Sequence, residues 1–264
     1  VLAWAAAGTL DWAASPAVDA ATLWDLASLT KLVALTTTVA TLVDDGTLSL
    51  DDRVQRWLPE WQGEEQATVT VRDLLLLRSG LPAHRNFYLD ATGLAAVRGR
   101  VLATPLEAPP RTRMVYSDLG AILLGMVVER AARLPFDEAV RRRVLGPAGM
   151  AETMFNPPPA LWGRVAPTER DPWRARHVRG EVHDENAFAM GGVSSHAGLF
   201  ATARDMVRFA RLWLGEGTLD GVRIFSAATA RQFTTVADSG FSSRAIGWDT
   251  PSGSSSAGTV ASEW

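Results

Sequence analysis

The chain has 264 residues, 47% of them apolar and 21% charged, so it can bury a sizeable core and is not disordered by composition. Its formal charge is −3 with no basic block, which argues against nucleic acid as a partner, and it has no uncharged apolar run near the ~20 residues that span a bilayer. The absence of cysteine removes disulfides, thiol nucleophiles and thiolate metal sites, and leaves the compartment open.

In chain order, 1–7 is apolar, Gly8 interrupts it and Trp12 follows, which reads as strand-like fragments with a turn. Between Asp25 and Asp44 the only charge is Lys31, and apolar residues at 29, 32, 33, 39, 40 and 43 fit a helical period. Thr36, Thr37 and Thr38 favour strand, but the length favours a core helix that stops at Asp44-Asp45-Gly46. Next comes a short extended piece with a helical turn over 47–59. Thr70-Val71-Arg72-Asp73 has the form of a capping box ahead of the buried run 74–77. A loop over 81–90 leads to a helix over 91–103, and Asp118 is placed to cap a helix from 119 to about 133. Another helix is expected from about 136 to 144.

The segment 165–182 is polar with short extended pieces, and 190–200 is glycine-rich. Thr202-Ala203-Arg204-Asp205 forms a second capping box that opens a helix through 214, and Asp220-Gly221 marks a hairpin turn. Ser226 can cap one more helix, 245–248 reads as a strand, and 251–256 is a Ser/Gly-rich tail. Strands and helices do not alternate regularly, so the fold class is α+β rather than a doubly wound sheet.

One count stands out: 25 of the 26 basic residues are arginine, and Lys31 is the only lysine. Arginine keeps its proton in proteins, whereas lysine can serve as a neutral amine. Ser28 and Lys31 lie three apart at the start of the core helix, which puts both on one face. A serine hydroxyl needs a base to become a nucleophile, and an apolar setting without carboxylates would suit a neutral lysine. The four-residue pattern alone equally fits a serine near a helix start and a lysine reaching for solvent.

Further motifs sharpen the reading. Ala27-Ser28-Leu29-Thr30-Lys31, Asp45-Gly46-x-Leu48-x-Leu50-Asp51-Asp52, 74–82, Tyr116-Ser117-Asp118, His183-Asp184-Glu185-Asn186-Ala187, Gly191-Gly192 and 196–200 occur in one order. Together they resemble the serine β-lactamase and penicillin-binding-protein superfamily, closest to the class C-like branch with its DD-peptidases and esterases. The resemblance implies a β-lactamase-like fold: an antiparallel sheet flanked by helices, with a mostly helical region at roughly 51–160, in one domain over 1–264. It implies that Ser28 carries the acyl group while Lys31 and Tyr116 move protons. Asp118 and His196 would contact substrate, and the Ser28 N–H would be one oxyanion donor.

Asp118 stands where the lactamase pattern has asparagine; a carboxylate, unless protonated, cannot donate the hydrogen bond that the amide N–H would give a substrate carbonyl, and helix capping is an equal role for it. The Lys/His-Thr/Ser-Gly triplet that the family carries late in the chain is not found, so the chain reads as clipped at both ends. The implied partner is a small-molecule or peptide acyl substrate, with no cofactor. His84, His177, His183 and His196 lack zinc-site spacing, so no metal is expected. A non-turnover penicillin- or peptide-binding protein and an inactive fragment remain as alternatives. Oligomeric state and compartment leave no mark on the sequence.

Overall fold

The computed structural model describes residues 5–11 and 15–251. The initial apolar residues 1–4, Trp12 and the tail from 252 onward lie outside the described residues. The elements in chain order begin with β1 (Trp24–Asp25), which runs into the core helix. That helix opens with a π-helical segment, Lys31–Thr36, and continues as α1 (Thr37–Asp44). α2 (Val54–Trp57), α3 (Val71–Leu75), α4 (Leu94–Ala103), α5 (Asp118–Ala132) and α6 (Phe136–Val140) follow. After β2 (Met154–Phe155), β3 (Arg170–Asp171) and β4 (Arg176–His177) come α7 (Glu185–Ala189), β5 (Leu199–Ala201) and α8 (Ala203–Leu214). β6 (Thr218–Leu219), β7 (Val222–Arg223) and α9 (Ala227–Thr234) are the last named elements.

The threonine run is helical, with Thr36 ending the π-helical opening and Thr37 and Thr38 starting α1. Both the N–H and the hydroxyl of Thr37 donate to the Leu32 carbonyl five residues back, the hydroxyl at 2.9 Å, and this widens the turn. Thr41 Oγ1 donates to the Thr38 carbonyl at 2.7 Å, so the helix backbone satisfies the hydroxyls of Thr37 and Thr41, while the buried Thr38 hydroxyl has no hydrogen-bond partner among the described residues. Of the apolar period, Val33, Val39 and Ala40 are buried, joined by Ala34, Leu35 and Leu42, whereas Leu32 and Val43 are half-buried and Leu29 is exposed. The helix closes at Asp45, with Gly46 at φ 75°, the left-handed position that glycine takes without strain.

The largest sheet has order β1-β5-β2 and is antiparallel throughout: Asp25 pairs with Phe200 and Phe155 with Leu199. β5 is therefore its centre, and it lies directly beside the start of the core helix. Thr70 and Asp73 form the expected reciprocal cap. At the second expected box only half forms: Thr202 accepts from the Asp205 N–H, while the Asp205 carboxylate turns away to the Glu152 N–H and Thr153 hydroxyl. The Asp220-Gly221 turn has both residues at positive φ (48° and 83°), as a two-residue hairpin between β6 and β7 demands. The strand expected over 245–248 does not form. Ala245 makes a single bridge to Val236, Gly247 takes φ 79°, and Trp248 stacks on Phe209 instead of extending a ladder. No helix among the described residues is long and apolar enough to cross a membrane.

α5 buries eleven of its fifteen residues and packs against α2, α3, α4 and α6. At Gly125 a Cβ would fall 2.2 Å from Ser195 Oγ and 2.6 Å from Ser195 Cβ, while Ser195 Oγ donates to the Ala121 carbonyl at 2.8 Å. The glycine thus lets the segment before β5 lie directly on α5. In an open helix Gly→Ala would stabilise by about 1 kcal/mol. Here Gly125→Ala is expected to destabilise, by about 1–3 kcal/mol in urea unfolding, because the whole segment must move. A stabilised variant would show that the segment is not clamped.

Candidate active site

Ser28 leaves β1 through a tight turn. The N–H groups of Leu29, Thr30 and Lys31 donate to the carbonyls of Leu26, Ala27 and Ser28 at 2.9, 3.1 and 3.0 Å, which winds the first helical turn. Thr30, between the two candidate residues, is fully buried, and its Oγ1 accepts the Leu199 N–H at 3.1 Å. The hydroxyl thereby fastens the turn to the central strand and fixes which face Ser28 and Lys31 share. On that face Lys31 Nζ donates to Ser28 Oγ over 2.9 Å. The lysine side chain is only 13% exposed.

The start of α5 supplies the next groups. Its cap is Ser117, not Asp118: Ser117 Oγ accepts the Gly120 N–H at 3.1 Å and donates to the Pro82 carbonyl at 2.6 Å. Asp118 occupies the first helical position, where its charge suits the helix dipole and its carboxylate is free to face inward. Its Oδ1 lies 2.7 Å from Lys31 Nζ, and its Oδ2 lies 3.3 Å from His84 Nδ1. The setting of Lys31 is therefore not the carboxylate-free one that the neighbouring sequence suggests; a carboxylate from 87 positions further along the chain borders it. The Tyr116 ring centroid stands 4.7 Å from Nζ, and the tyrosine is half exposed.

His196 reaches the lysine differently from what its side chain would suggest. Its main-chain carbonyl accepts from Lys31 Nζ at 3.1 Å. The ring is buried, with 1% of the residue exposed, and both nitrogens are engaged inside the protein: Nε2 at 2.8 Å from Asp184 Oδ1, Nδ1 at 2.7 Å from Ser194 Oγ. Asp184 also caps α7 by accepting the Ala187 N–H at 2.8 Å. Burial works against the Asp184 charge, but the hydrogen bond and charge of His196 prevail and hold its carboxyl well below the usual carboxylate range. Asn186, buried in α7, accepts the Tyr88 N–H at 3.0 Å and donates to the Arg85 carbonyl at 2.8 Å, tying the loop of His84 to the same helix.

Ser28, Lys31 and Tyr116 border a cavity of about 570 Å³ whose lining also includes Arg244 and Trp248. His84 lies outside the motifs, and Thr30 and Asn186 lie inside them without an assigned role; the part of all three in the site follows from contacts between distant segments.

A half-buried lysine bonded to a serine three positions before it, beside a tyrosine and an acid from the start of α5, defines a Ser-x-x-Lys site on an α+β frame. The chain belongs to the Beta-lactamase family, whose sequence model matches residues 1–260. A protein of Escherichia coli (strain K12) named "Putative D-alanyl-D-alanine carboxypeptidase" is 35% identical over 243 residues, covering 81% of this chain and 56% of that protein. The chain thus spans about half the length of the curated relatives it matches. Among solved structures, a penicillin binding protein from Bacillus halodurans aligns with TM-score 0.70 and 24% identity, over 88% of this chain and 71% of that one. A family VIII carboxylesterase aligns with TM-score 0.70 and 23% identity, over 86% and 65%. At these identities the structures establish the shared fold, which is β-lactamase-like and α+β.

Proposed function

We propose that the chain carries the nucleophilic half of a serine hydrolase site that forms an acyl-enzyme on Ser28 from a small-molecule or peptide ester or amide. The observation that carries this reading is the 2.9 Å contact between Lys31 Nζ and Ser28 Oγ, backed by a carboxylate at 2.7 Å. In its unprotonated form Lys31 takes the Ser28 proton as Oγ bonds to the substrate carbonyl carbon. The resulting ammonium is left beside Asp118, whose negative charge stabilises it as it forms. When the tetrahedral intermediate collapses, the bond to the leaving oxygen or nitrogen breaks, and that atom takes a proton from Lys31, directly or through the Tyr116 hydroxyl. Among the described residues the Ser28 N–H donates to no protein carbonyl, which leaves it to serve the carbonyl oxygen of the substrate as charge builds there.

Two site roles differ here from the resemblance-based expectation. Asp118 acts on Lys31 and not on substrate, because its carboxylate lies against Nζ. His196 acts through its carbonyl, because its ring is committed to Asp184 and Ser194. The names of the E. coli relative and of the carboxylesterase support an acyl-transfer chemistry and leave peptide and ester substrates both within the proposal. The reading takes residues 1–264 as one domain with its helical region at about 51–160.

Intact-mass measurement after treatment with a fluorophosphonate tests the proposal. One adduct is expected, mapped to Ser28, and it is lost in Ser28→Ala. Labelling that survives this substitution overturns it. With p-nitrophenyl esters, continuous release distinguishes turnover from capture of a single equivalent.

A further inference from the structure

The residue before the nucleophile is strained. Ala27 has φ 44°, in the left-handed region that side chains with a Cβ avoid. What holds it there is Asp25. Oδ1 of Asp25 accepts the Ala27 N–H at 2.8 Å, so the carboxylate closes the turn just where β1 ends and the sheet no longer directs the backbone. The other oxygen accepts the His183 N–H at 2.7 Å. His183 adjoins Asp184, which anchors the His196 ring, and the His196 carbonyl receives Lys31 Nζ. One carboxylate therefore spans two arms, one ending at Ser28 Oγ and the other at Lys31 Nζ.

Burial pushes the Asp25 carboxyl above its ordinary range, against the pull of its two main-chain donors. No arginine or lysine pairs with it among the described residues. Asp25 is half-buried, and its two carboxylate oxygens are both spent on main-chain N–H groups that lead into the site, so its hydrogen bonds serve to set this geometry.

We infer that Asp25 is a positioning residue for acylation: it locks the Ala27 turn that presents Ser28 and couples that turn to the loop of Asp184. The inference rests on the reading of Ser28 as the nucleophile.

The rate constant and the concentration dependence of fluorophosphonate labelling at Ser28 are measured for the parent chain, Asp25→Ala, Asp25→Asn, Ala27→Gly and the double variant Asp25→Ala/Ala27→Gly. Asp25→Ala is expected to lower the limiting rate about 10- to 100-fold, with the half-saturating concentration within about twofold of the parent. Asp25→Asn, which keeps one acceptor oxygen, falls between. Glycine reaches a positive φ without the anchor. Ala27→Gly alone therefore stays near the parent rate, and in the double variant it restores at least about threefold over Asp25→Ala. Thermal unfolding by circular dichroism confirms that the variants compared are folded.

A parent-like limiting rate in folded Asp25→Ala and Asp25→Asn overturns the inference, as does a double variant no faster than Asp25→Ala. Amide exchange supplies a readout independent of labelling: the Ala27 and His183 N–H groups are expected to exchange faster in Asp25→Asn, and unchanged protection of both overturns the lock. A parent chain that takes no label at Ser28 overturns the nucleophile reading and this inference with it. A labelled parent with indifferent Asp25 variants overturns this inference alone.

Discussion

Lys31→Arg is expected to slow acylation of Ser28 about 10²–10⁴-fold, as much as Lys31→Ala does, although only the arginine variant keeps the positive charge. The reason lies in the two neighbours of Nζ. Asp118 Oδ1 at 2.7 Å would accept a guanidinium as readily as an amine, so charge pairing in this partly buried place survives the change. Ser28 Oγ at 2.9 Å, by contrast, needs a nitrogen that can arrive without its proton. Arginine cannot do that in a protein. The experiment therefore separates charge from proton transfer, which alanine alone would confound. Thermal unfolding of Lys31→Arg should stay near that of the parent, while Lys31→Ala leaves the Asp118 carboxylate without its partner and should unfold at a lower temperature. Appreciable labelling of Lys31→Arg would mean that Lys31 acts by its field, and the proton route proposed above would fall. The composition makes the same point from another side: this chain uses arginine at every basic position except the one next to Ser28.

Much of the local structure was legible because it rests on short-range chemistry. The Thr70/Asp73 cap, the Asp220-Gly221 turn and the Ser226 cap each need only residues within four positions of one another. The β-lactamase-like fold was legible through the ordered motifs, which the family match supports. The misreadings share a cause. Ala245 and Ile246 are buried and apolar like a strand, but Gly247 takes a positive φ and Trp248 packs on Phe209 and Trp213 instead of continuing a ladder. Asp118 satisfies the capping rule in sequence, yet Ser117 takes the cap because the chain enters α5 one residue earlier. That single-residue shift turns an acid from a structural role to a place beside Lys31.

The site was harder to read than the fold, because its contacts join segments that spacing does not connect. Lys31 meets a carbonyl 165 positions away, and the group that delivers the carbonyl is a histidine whose ring faces elsewhere. A buried histidine in a glycine-rich segment can equally be a ligand contact or an internal strut, and only its partners decide. Thr30 illustrates the same limit. A threonine inside a Ser-x-x-Lys motif has no signal of its own, and its role as a peg to β5 depends on Leu199, 169 residues on.

Asp184→Asn is expected to cost about 3 kcal/mol of stability at neutral pH, the lower end for breaking a buried pair, since Asp184 keeps some contact with water. Asparagine caps helices as well as aspartate does, so α7 keeps its first N–H partner and the loss reports on His196. The pH dependence follows from the direction of the shift. His196 holds the Asp184 carboxyl below its unfolded value in spite of burial, so the contribution is fully present above about pH 4 and is lost as the pH falls further. The stability gap between the parent and Asp184→Asn, measured by urea unfolding, should therefore narrow from pH 5 towards pH 2. A gap that stays constant or widens would show that the carboxylate does not carry the pairing. The functional consequence runs through the main chain: once its ring loses that anchor, the segment of His196 no longer holds its carbonyl at 3.1 Å from Lys31 Nζ. Labelling of Ser28 should slow in step, about tenfold, while Asp184→Glu, which keeps the charge at the end of a longer arm, should recover part of both the stability and the rate.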